Sequence, residues 1–209
     1  ILLIQNKALE LSMFLSIPAS IALIIGSEQI ISALFGYGSF KMDSVLNSSN
    51  ALYYFGIGLP AFAFIKVFST FFFANHDTKT PFYISLVSVL LNILISVYFF
   101  KDIGFIIIPI ATTISSWFNS LVLFIYLKNN SLFEFNGIFF KKFIKIIFVS
   151  ILMGFFFEYL ILFFETQLSY TYNFKSAYLI LCVFLTIIFY LTLSYFIKAF
   201  NYDDIKIKY

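Results

Sequence analysis

Charged residues are scarce in this chain of 209 residues: they make up 11% of it, and none of the basic ones is arginine. A soluble domain usually carries about 25% charged residues. Hydrophobic residues make up 62%, including 32 phenylalanines, and the mean hydropathy is +1.00. So few polar side chains cannot cover a water-facing globule. The composition therefore excludes a soluble enzyme, a disordered chain and a nucleic-acid binder, and it indicates an integral membrane protein.

Cysteine and catalytic motifs are nearly missing as well. The single cysteine, Cys182, allows neither an internal disulfide nor a cysteine metal cluster. The chain contains no HExxH, P-loop, GxSxG or CxxC motif, and its carboxylates are not paired at active-site spacing. The only histidine, His76, stands in a polar loop without metal-binding partners, so a solvated turn is its expected role. We therefore expect no enzyme activity.

Six stretches of the chain are each long and apolar enough for a membrane-spanning helix, which needs about 20 residues. Their apolar residues do not alternate with polar ones, as they would in the ~10-residue strands of a β-barrel. We therefore expect an all-α integral membrane protein with six transmembrane helices. The longest loop, 128–141, separates four helices from a two-helix hairpin. The expected spans are 8–35, 48–74, 81–100, 103–127, 142–164 and 176–199.

Several local signals mark helix ends and breaks. Asn47 or Ser48 can cap the second helix. Thr80 followed by Pro81 predicts the start of the third helix, with a hydroxyl cap and a proline at the first helical position. A proline inside a span removes a backbone donor and tends to kink the helix. Three such prolines fit either plain packing kinks or a protein that changes shape, and they are Pro18, Pro60 and Pro109.

The lysines are distributed unequally between the two sides of the predicted membrane. Most lie on the side that holds both ends of the chain. By the positive-inside rule, both ends are therefore expected in the cytoplasm. The lysines on that side are Lys7, Lys79, Lys128, Lys141, Lys142, Lys145, Lys198, Lys206 and Lys208, and those on the other side are Lys41, Lys101 and Lys175.

Lys66 is the clearest charge inside a predicted span, and charges in a membrane are costly and often functional. It lies about eight residues from the cytoplasmic end, which is ~12 Å at the helical rise of ~1.5 Å per residue. Two roles remain open. Its stem can reach toward the headgroups, or its ammonium can attract a phosphate or carboxylate in a polar cavity.

A polar stripe follows the third and fourth helices. Asn92 and Ser96 are four residues apart and therefore share one face, and Thr112, Ser116 and Asn119 follow a similar spacing on the next helix. Such side chains often form hydrogen bonds between membrane helices. They can also provide an oxygen-rich site for a small cation or a substrate head group, and the sequence leaves both interpretations open.

Three segments resemble the MurJ (MviN) family of lipid II flippases. Residues 34–40, LFGYGSF, are similar to the family's LF-x-x-G-x-F turn. Residues 73–81, FANHDTKTP, are similar to its FYA-x-x-DTKTP segment, and residues 6–12, NKALELS, also resemble the family. The resemblance covers about residues 5–128, and the rest of the chain matches only in having two spans.

This resemblance implies a fold with fourteen helices, as in the multidrug/oligosaccharidyl-lipid/polysaccharide exporter superfamily: two six-helix lobes and a C-terminal pair. Residues 1–128 would be helices nine to twelve of the second lobe, and residues 129–209 the hairpin of helices thirteen and fourteen. The chain starts at Ile1 rather than methionine, so we expect it to be the end of a longer protein.

The resemblance also implies a function. Family members move undecaprenyl-pyrophosphate-linked peptidoglycan precursor across the bacterial inner membrane by alternating access, during cell-wall synthesis. The implied partners are this lipid-linked precursor, membrane lipids and a missing amino-terminal lobe, with no nucleic acid.

Particular residues receive roles from the same resemblance. Lys66 matches a cationic position that faces the central cavity, where it would contribute to holding the pyrophosphate. Three consecutive aromatic residues would suit either the hydrophobic groove for the lipid tail or plain contact with membrane lipid: Phe155, Phe156 and Phe157. The sodium site of some members matches, by position, Asn92, Ser96, the Ile108 carbonyl and Thr112. Ser96 stands where the sodium-binding member has a carboxylate, and the acidic partner from helix seven is absent, so the expected cofactor is none, with sodium as the open alternative.

Two alternatives to this function remain. A related polysaccharide-lipid or drug exporter of the same superfamily would share the spans, but the loop 77–81 argues against it. A non-transporting membrane scaffold or gene remnant would share the hydropathy and would need no buried Lys66.

Overall fold

Long apolar runs form helices in a membrane because the backbone must satisfy its own polar groups there. The computed structural model describes residues 2–134 and 137–199, without the side chains of residues 2, 3 and 138. Every regular element in these ranges is helical. The elements are α1 (Leu2–Phe35), α2 (Met42–Ala74), α3 (Lys79–Ile103), a 3-10 turn (Gly104–Ile106), α4 (Ile107–Asn129), α5 (Gly137–Phe163), α6 (Glu165–Leu168) and α7 (Lys175–Ile197).

The helix α1 lies at the centre of the bundle. It packs along α2 on one side and along α5 on the other, while α4 packs against α2 and α3, and α7 packs against α5 and α1. We call the end of the bundle that contains the start of α1 the lower end, and the end that contains the α1–α2 turn the upper end. The short α6 lies at the upper end, between α5 and α7.

Within the described residues, five helical stretches are long and apolar enough, by length and composition, to cross a membrane. The third stretch, Lys79–Asn129, contains both α3 and α4. These two helices run antiparallel, because Asn92 bonds Thr112 at 3.0 Å while Asn119 bonds Ser85 at 3.4 Å. The structure therefore supports an all-helical membrane protein in which one of the five stretches folds back on itself.

Two predicted helix starts are wrong. The helix α2 begins at Met42, so Asn47 and Ser48 lie inside the helix rather than at its cap. The extra turn starts after Lys41, whose backbone is extended, and it carries Asp43, a charge that suits the positive end of a helix dipole. Polar residues that looked like a loop in the sequence therefore continue the apolar helix.

The third helix also starts earlier than predicted. It begins at Lys79, which makes Thr80 and Pro81 its second and third residues. The capping acceptor is Asp77, whose carboxylate accepts a hydrogen bond from the backbone N–H of Thr80 at 3.0 Å. Hydrogen bonds from the side chain and backbone of Thr80 hold the pKa of Asp77 below its ordinary value. The segment 77–81 thus positions an ionised carboxylate, that of Asp77, at the start of α3.

Pro18 interrupts the hydrogen bonding of α1 without leaving a carbonyl unpaired. A proline deprives the carbonyl four residues earlier of its helical donor, and here that carbonyl belongs to Phe14. The hydroxyl of Tyr190, on α7, donates a hydrogen bond to the Phe14 carbonyl at 2.8 Å. The break in α1 is therefore satisfied by a neighbouring helix, as is usual for prolines in membrane helices.

Pro60 shows the same arrangement in α2, whereas Pro109 does not. The carbonyl that Pro60 leaves without a donor is that of Gly56, and the hydroxyl of Ser20, on α1, donates to it at 2.6 Å. Pro109 is the third residue of α4, where a backbone N–H has no helical acceptor anyway. Pro109 therefore lies inside an apolar stretch as predicted, but it is too close to the start of α4 to kink the helix, so that part of the prediction is wrong.

Candidate functional site

Lys66 lies on a face of α2 that no other described helix covers. Phe62, Lys66 and Thr70 are exposed and recur every four residues, whereas Ala61 and Phe68 on the other side of α2 are buried. Lys66 forms no hydrogen bond or ion pair with any residue that the structure describes. An uncovered cation on an otherwise apolar helix needs an anion or water as its partner.

The polar stripe forms hydrogen bonds between helices. The Asn92 amide donates to the Thr112 hydroxyl at 3.0 Å and to Ser115 at 3.3 Å. Thr112 in turn donates to the Ile108 carbonyl at 2.8 Å. The structure thus brings together three of the four residues predicted for a cation site, and it gives each of them a packing role.

Ser96 is the exception within this stripe. Its hydroxyl is buried and has no hydrogen-bond partner among the described residues. Because a buried hydroxyl without a partner is costly, Ser96 is the one member of the predicted set that the bonds between α3 and α4 leave unexplained. No group of three or more His, Cys, Asp or Glu that could hold a metal ion occurs within the described ranges.

The sequence analysis missed two side chains that join α4 to α2. The Thr113 hydroxyl donates to the Tyr54 carbonyl at 2.7 Å, and the Trp117 indole N–H donates to the Ile57 carbonyl at 3.2 Å. No signal in the sequence points to these two acceptors, because the carbonyl that Pro60 deprives of its helical donor is that of Gly56.

An apolar groove of about 470 Å³ runs between α1 and α7. Met153 and Phe157 of α5 line it together with Pro18. Its two hydroxyl-bearing side chains are both bonded to carbonyls: Tyr190 to Phe14, and Thr186 to Cys182 at 2.7 Å. The groove therefore offers a surface of hydrocarbon character.

The three consecutive phenylalanines of α5 point in different directions, as neighbours on a helix must. Phe157 is buried and lines the groove, whereas Phe155 is 64% exposed and lines a separate cavity beside Glu158. Phe156 stacks on Phe189 of α7 with ring centroids 4.4 Å apart. Of the three residues predicted to form one groove, only Phe157 reaches the large groove.

Lys175 directly precedes the expected span 176–199, but it is the first residue of α7 and is only 1% exposed. Its ammonium donates to the carbonyls of Gly36 and Tyr170, both at 2.6 Å. The same ammonium lies 4.4 Å from the ring centroid of Tyr37 and 4.5 Å from that of Tyr170. A buried charge is therefore satisfied by two carbonyls and two aromatic faces.

Further bonds join the same elements. The hydroxyls of Tyr37 and Ser176 lie 2.6 Å apart, and the Tyr170 hydroxyl donates to the Phe40 carbonyl at 2.9 Å. We call this group the upper clasp: Gly36, Tyr37, Phe40, Tyr170, Lys175 and Ser176. It fixes the α1–α2 turn to the start of α7.

At the lower end, an ion pair joins α1 to α5. The Lys142 ammonium lies 2.9 Å from a carboxylate oxygen of Glu10, and their side chains are 18% and 8% exposed. Asn6, one turn earlier on α1, donates to the Glu134 carbonyl at 3.0 Å. The hairpin of α5 and α7 is thus attached to α1 by polar contacts at both ends of the bundle.

The lysines follow the division expected from the sequence. Lys7, Lys79, Lys128, Lys141, Lys142, Lys145 and Lys198 lie toward the lower end, and Lys41, Lys101 and Lys175 lie at the upper end. Lys206 and Lys208 fall outside the described residues.

The class of protein is an all-helical integral membrane protein. It is defined by the long apolar helices, by the cation and the hydrogen-bonded polar groups within them, and by the lysines concentrated at one end. Residues 1–181 match the family model described as lipid II flippase MurJ. The chain therefore belongs to the MurJ family.

Individual relatives agree with this assignment. The chain is 37% identical over 121 residues to a protein of Rhizobium meliloti named "Probable lipid II flippase MurJ", covering 58% of this chain and 23% of that protein. It is 34% identical over 143 residues to the protein of that name from Thermotoga maritima, covering 68% of this chain and 28% of the relative. The chain thus spans about a quarter of the length of these relatives.

A solved structure has the same fold. The chain superposes on lipid II flippase MurJ in an inward closed conformation with a TM-score of 0.74 and 28% identity. The match covers 93% of this chain and 38% of that protein.

Proposed function

We propose that this chain is the carboxy-terminal part of a lipid II flippase that works by alternating access in the bacterial inner membrane. The observation that carries the proposal is the structural match, which takes in nearly the whole chain but little more than a third of the flippase. A part of that size needs the amino-terminal lobe to complete a central cavity. The substrate is then the undecaprenyl-pyrophosphate-linked peptidoglycan precursor.

In this proposal the chain crosses the membrane six times, through α1, α2, α3, α4, α5 and α7. The antiparallel pairing of α3 and α4 supports counting them as two spans. Residues 1–128 belong to the second lobe and residues 129–209 to the C-terminal hairpin. The concentration of lysines at the lower end supports a cytoplasmic position for that end and for both ends of the chain.

Lys66 is proposed to face the central cavity and to attract the pyrophosphate of the substrate. Its exposure on α2, with no partner among the described residues, supports this role. An ammonium that already formed an ion pair inside the bundle would have little attraction left for a phosphate group.

The polar stripe of α3 and α4, with the unpartnered Ser96, is the proposed position of any bound sodium ion. The groove that contains Phe157 is the proposed path of the lipid tail.

The role of Lys66 is tested with Lys66→Met in the protein that carries the amino-terminal lobe. Methionine keeps a long flexible side chain but removes the charge. We expect at least a tenfold loss of lipid II translocation, because about 1.4 kcal/mol of lost electrostatic attraction corresponds to a factor of ten. The measurement is the fraction of lipid II that becomes accessible on the far side of reconstituted vesicles.

The matched control is Lys141→Met, which removes an exposed lysine from the start of α5. Equal insertion of both variants, with only Lys66→Met impaired, supports the proposed role. Full activity of Lys66→Met contradicts it.

A further inference from the structure

A second polar site lies at the upper end of the bundle, away from Lys66 and from the polar stripe. It is a cavity of about 280 Å³ between the last turns of α1, the last turn of α5 and α6. We propose that this cavity binds a hydrated divalent cation, Mg²⁺ or Ca²⁺. The proposal depends on the residues of the cavity and stands apart from the flippase function.

Two matched pairs of side chains line the cavity. Glu28 and Ser32 are four residues apart on α1, and Glu165 and Ser169 are four residues apart on and just after α6. Spacing of four residues places a carboxylate and a hydroxyl one helical turn apart on the same face. All four line the cavity, so each wall offers one carboxylate and one hydroxyl oxygen, and Gln29 adds an amide oxygen.

Ser32 is the observation that points to a ligand. The residue is only 4% exposed, it lines the cavity, and its hydroxyl has no hydrogen-bond partner among the described residues. A serine in a helix normally donates its hydroxyl hydrogen to the backbone carbonyl one turn earlier, and Ser32 does not. Ser169 forms such a local hydrogen bond, since its hydroxyl donates to the Thr166 carbonyl at 2.8 Å. The lone pairs of the Ser169 oxygen remain able to bind a cation.

The surrounding charge favours a cation. The cavity lies against the carboxyl ends of α1 and α5, where the helix dipoles are negative, and one apolar residue of its wall, Met42, lies at the positive amino end of α2. Neither Glu28 nor Glu165 forms an ion pair with any described residue. The buried positive charge at this end is Lys175, and it is already taken up by the carbonyls and rings of the upper clasp.

The ligands and the volume favour a metal ion that keeps part of its water. All the candidate ligands are oxygens, which are the ligands that Mg²⁺ and Ca²⁺ prefer. The two carboxylates are too few to surround an ion completely, but Mg²⁺ is often held by one or two carboxylates with several waters. A cavity of about 280 Å³ has room for the ion and those waters.

The experiment measures the thermal unfolding midpoint of the full-length protein in detergent against the concentration of CaCl₂ or MgCl₂, at constant ionic strength. We expect the midpoint to rise with half-saturation on the order of 0.1–1 mM, as for exposed calcium sites outside cells. Glu28→Gln and Glu165→Gln should each weaken this apparent affinity at least about tenfold. Ser32→Ala should weaken it about three- to tenfold and leave the midpoint without divalent ions unchanged or higher.

The matched control is Glu158→Gln, which neutralises an exposed carboxylate of α5 that lines a different cavity. It should bind the ions like the unmodified protein. The proposal is overturned if neither ion shifts the unfolding midpoint at a concentration about ten times the upper end of the expected half-saturation range. It is also overturned if the Glu28→Gln/Glu165→Gln double variant responds to the ions like the unmodified protein. A larger shift with ethylammonium chloride than with either metal salt also overturns it, because the site would then hold an organic ammonium.

Discussion

Replacing Lys175 with methionine removes the centre of the upper clasp while keeping a side chain of similar length. The ammonium donates to the carbonyls of Gly36 and Tyr170 at 2.6 Å and lies over two tyrosine rings. In Lys175→Met both carbonyls lose their donor within a buried site. We therefore expect the α1–α2 turn to separate more easily from the start of α7.

The magnitude follows from two opposing effects. A buried acceptor that loses its donor costs about 1–3 kcal/mol, and two are lost here. Each cation–π contact contributes about 0.5–2 kcal/mol more. Against these losses, burying an ammonium costs several kcal/mol, and methionine avoids that cost. The lost cation–π contacts and the avoided burial of the ammonium roughly offset each other, so the two unpaired carbonyls dominate. We therefore expect a net decrease of about 2–4 kcal/mol in the free energy of unfolding.

The assay is unfolding of the purified protein in detergent, with Lys101→Met as the matched control. Lys101 is an exposed lysine at the same end of the bundle, so its replacement should change stability by less than about 0.5 kcal/mol. If Lys175→Met is as stable as Lys101→Met, the upper clasp does not stabilise the bundle.

Three further substitutions test the packing. Tyr190→Phe removes the hydrogen bond that the Tyr190 hydroxyl donates to the Phe14 carbonyl beside Pro18 and should cost about 0.5–1.5 kcal/mol in unfolding experiments. Glu10→Gln breaks the partly buried ion pair with Lys142 and should lower stability by about 1–3 kcal/mol, a loss that Lys142→Met in the same protein should not double. A Cβ at Gly154 would lie 2.7 Å from a side-chain carbon of α1, so Gly154→Ala should cost about 1–3 kcal/mol in the same assay.

The membrane class and most helices could be predicted from the sequence because they depend on long-range averages. About 20 consecutive apolar residues have few alternatives to a spanning helix. Helix starts were predicted less well. Asn47 and Ser48 are good capping residues, yet α2 begins earlier, at Met42. A capping residue stabilises a helix end by about 1 kcal/mol, and the packing of a longer helix can exceed that.

Side-chain partners across helices were the least predictable. Nothing near Lys175 in the sequence shows that Gly36 and Tyr37, far earlier in the chain, would surround its ammonium. The three phenylalanines of α5 were grouped by adjacency, although successive helical residues point about 100° apart. Pro18 and Pro60 carried usable information, since each predicts one carbonyl that needs an outside donor, but not that Tyr190 and Ser20 supply it.

The central claim, that this chain is the carboxy-terminal part of a lipid II flippase, is tested most directly by transport itself. The protein that carries both this chain and its amino-terminal lobe is reconstituted into vesicles with labelled lipid II in one leaflet. We predict that the lipid appears in the opposite leaflet, and that Lys66→Met slows this at least about tenfold. Correctly inserted protein that leaves lipid II in its original leaflet would contradict the account.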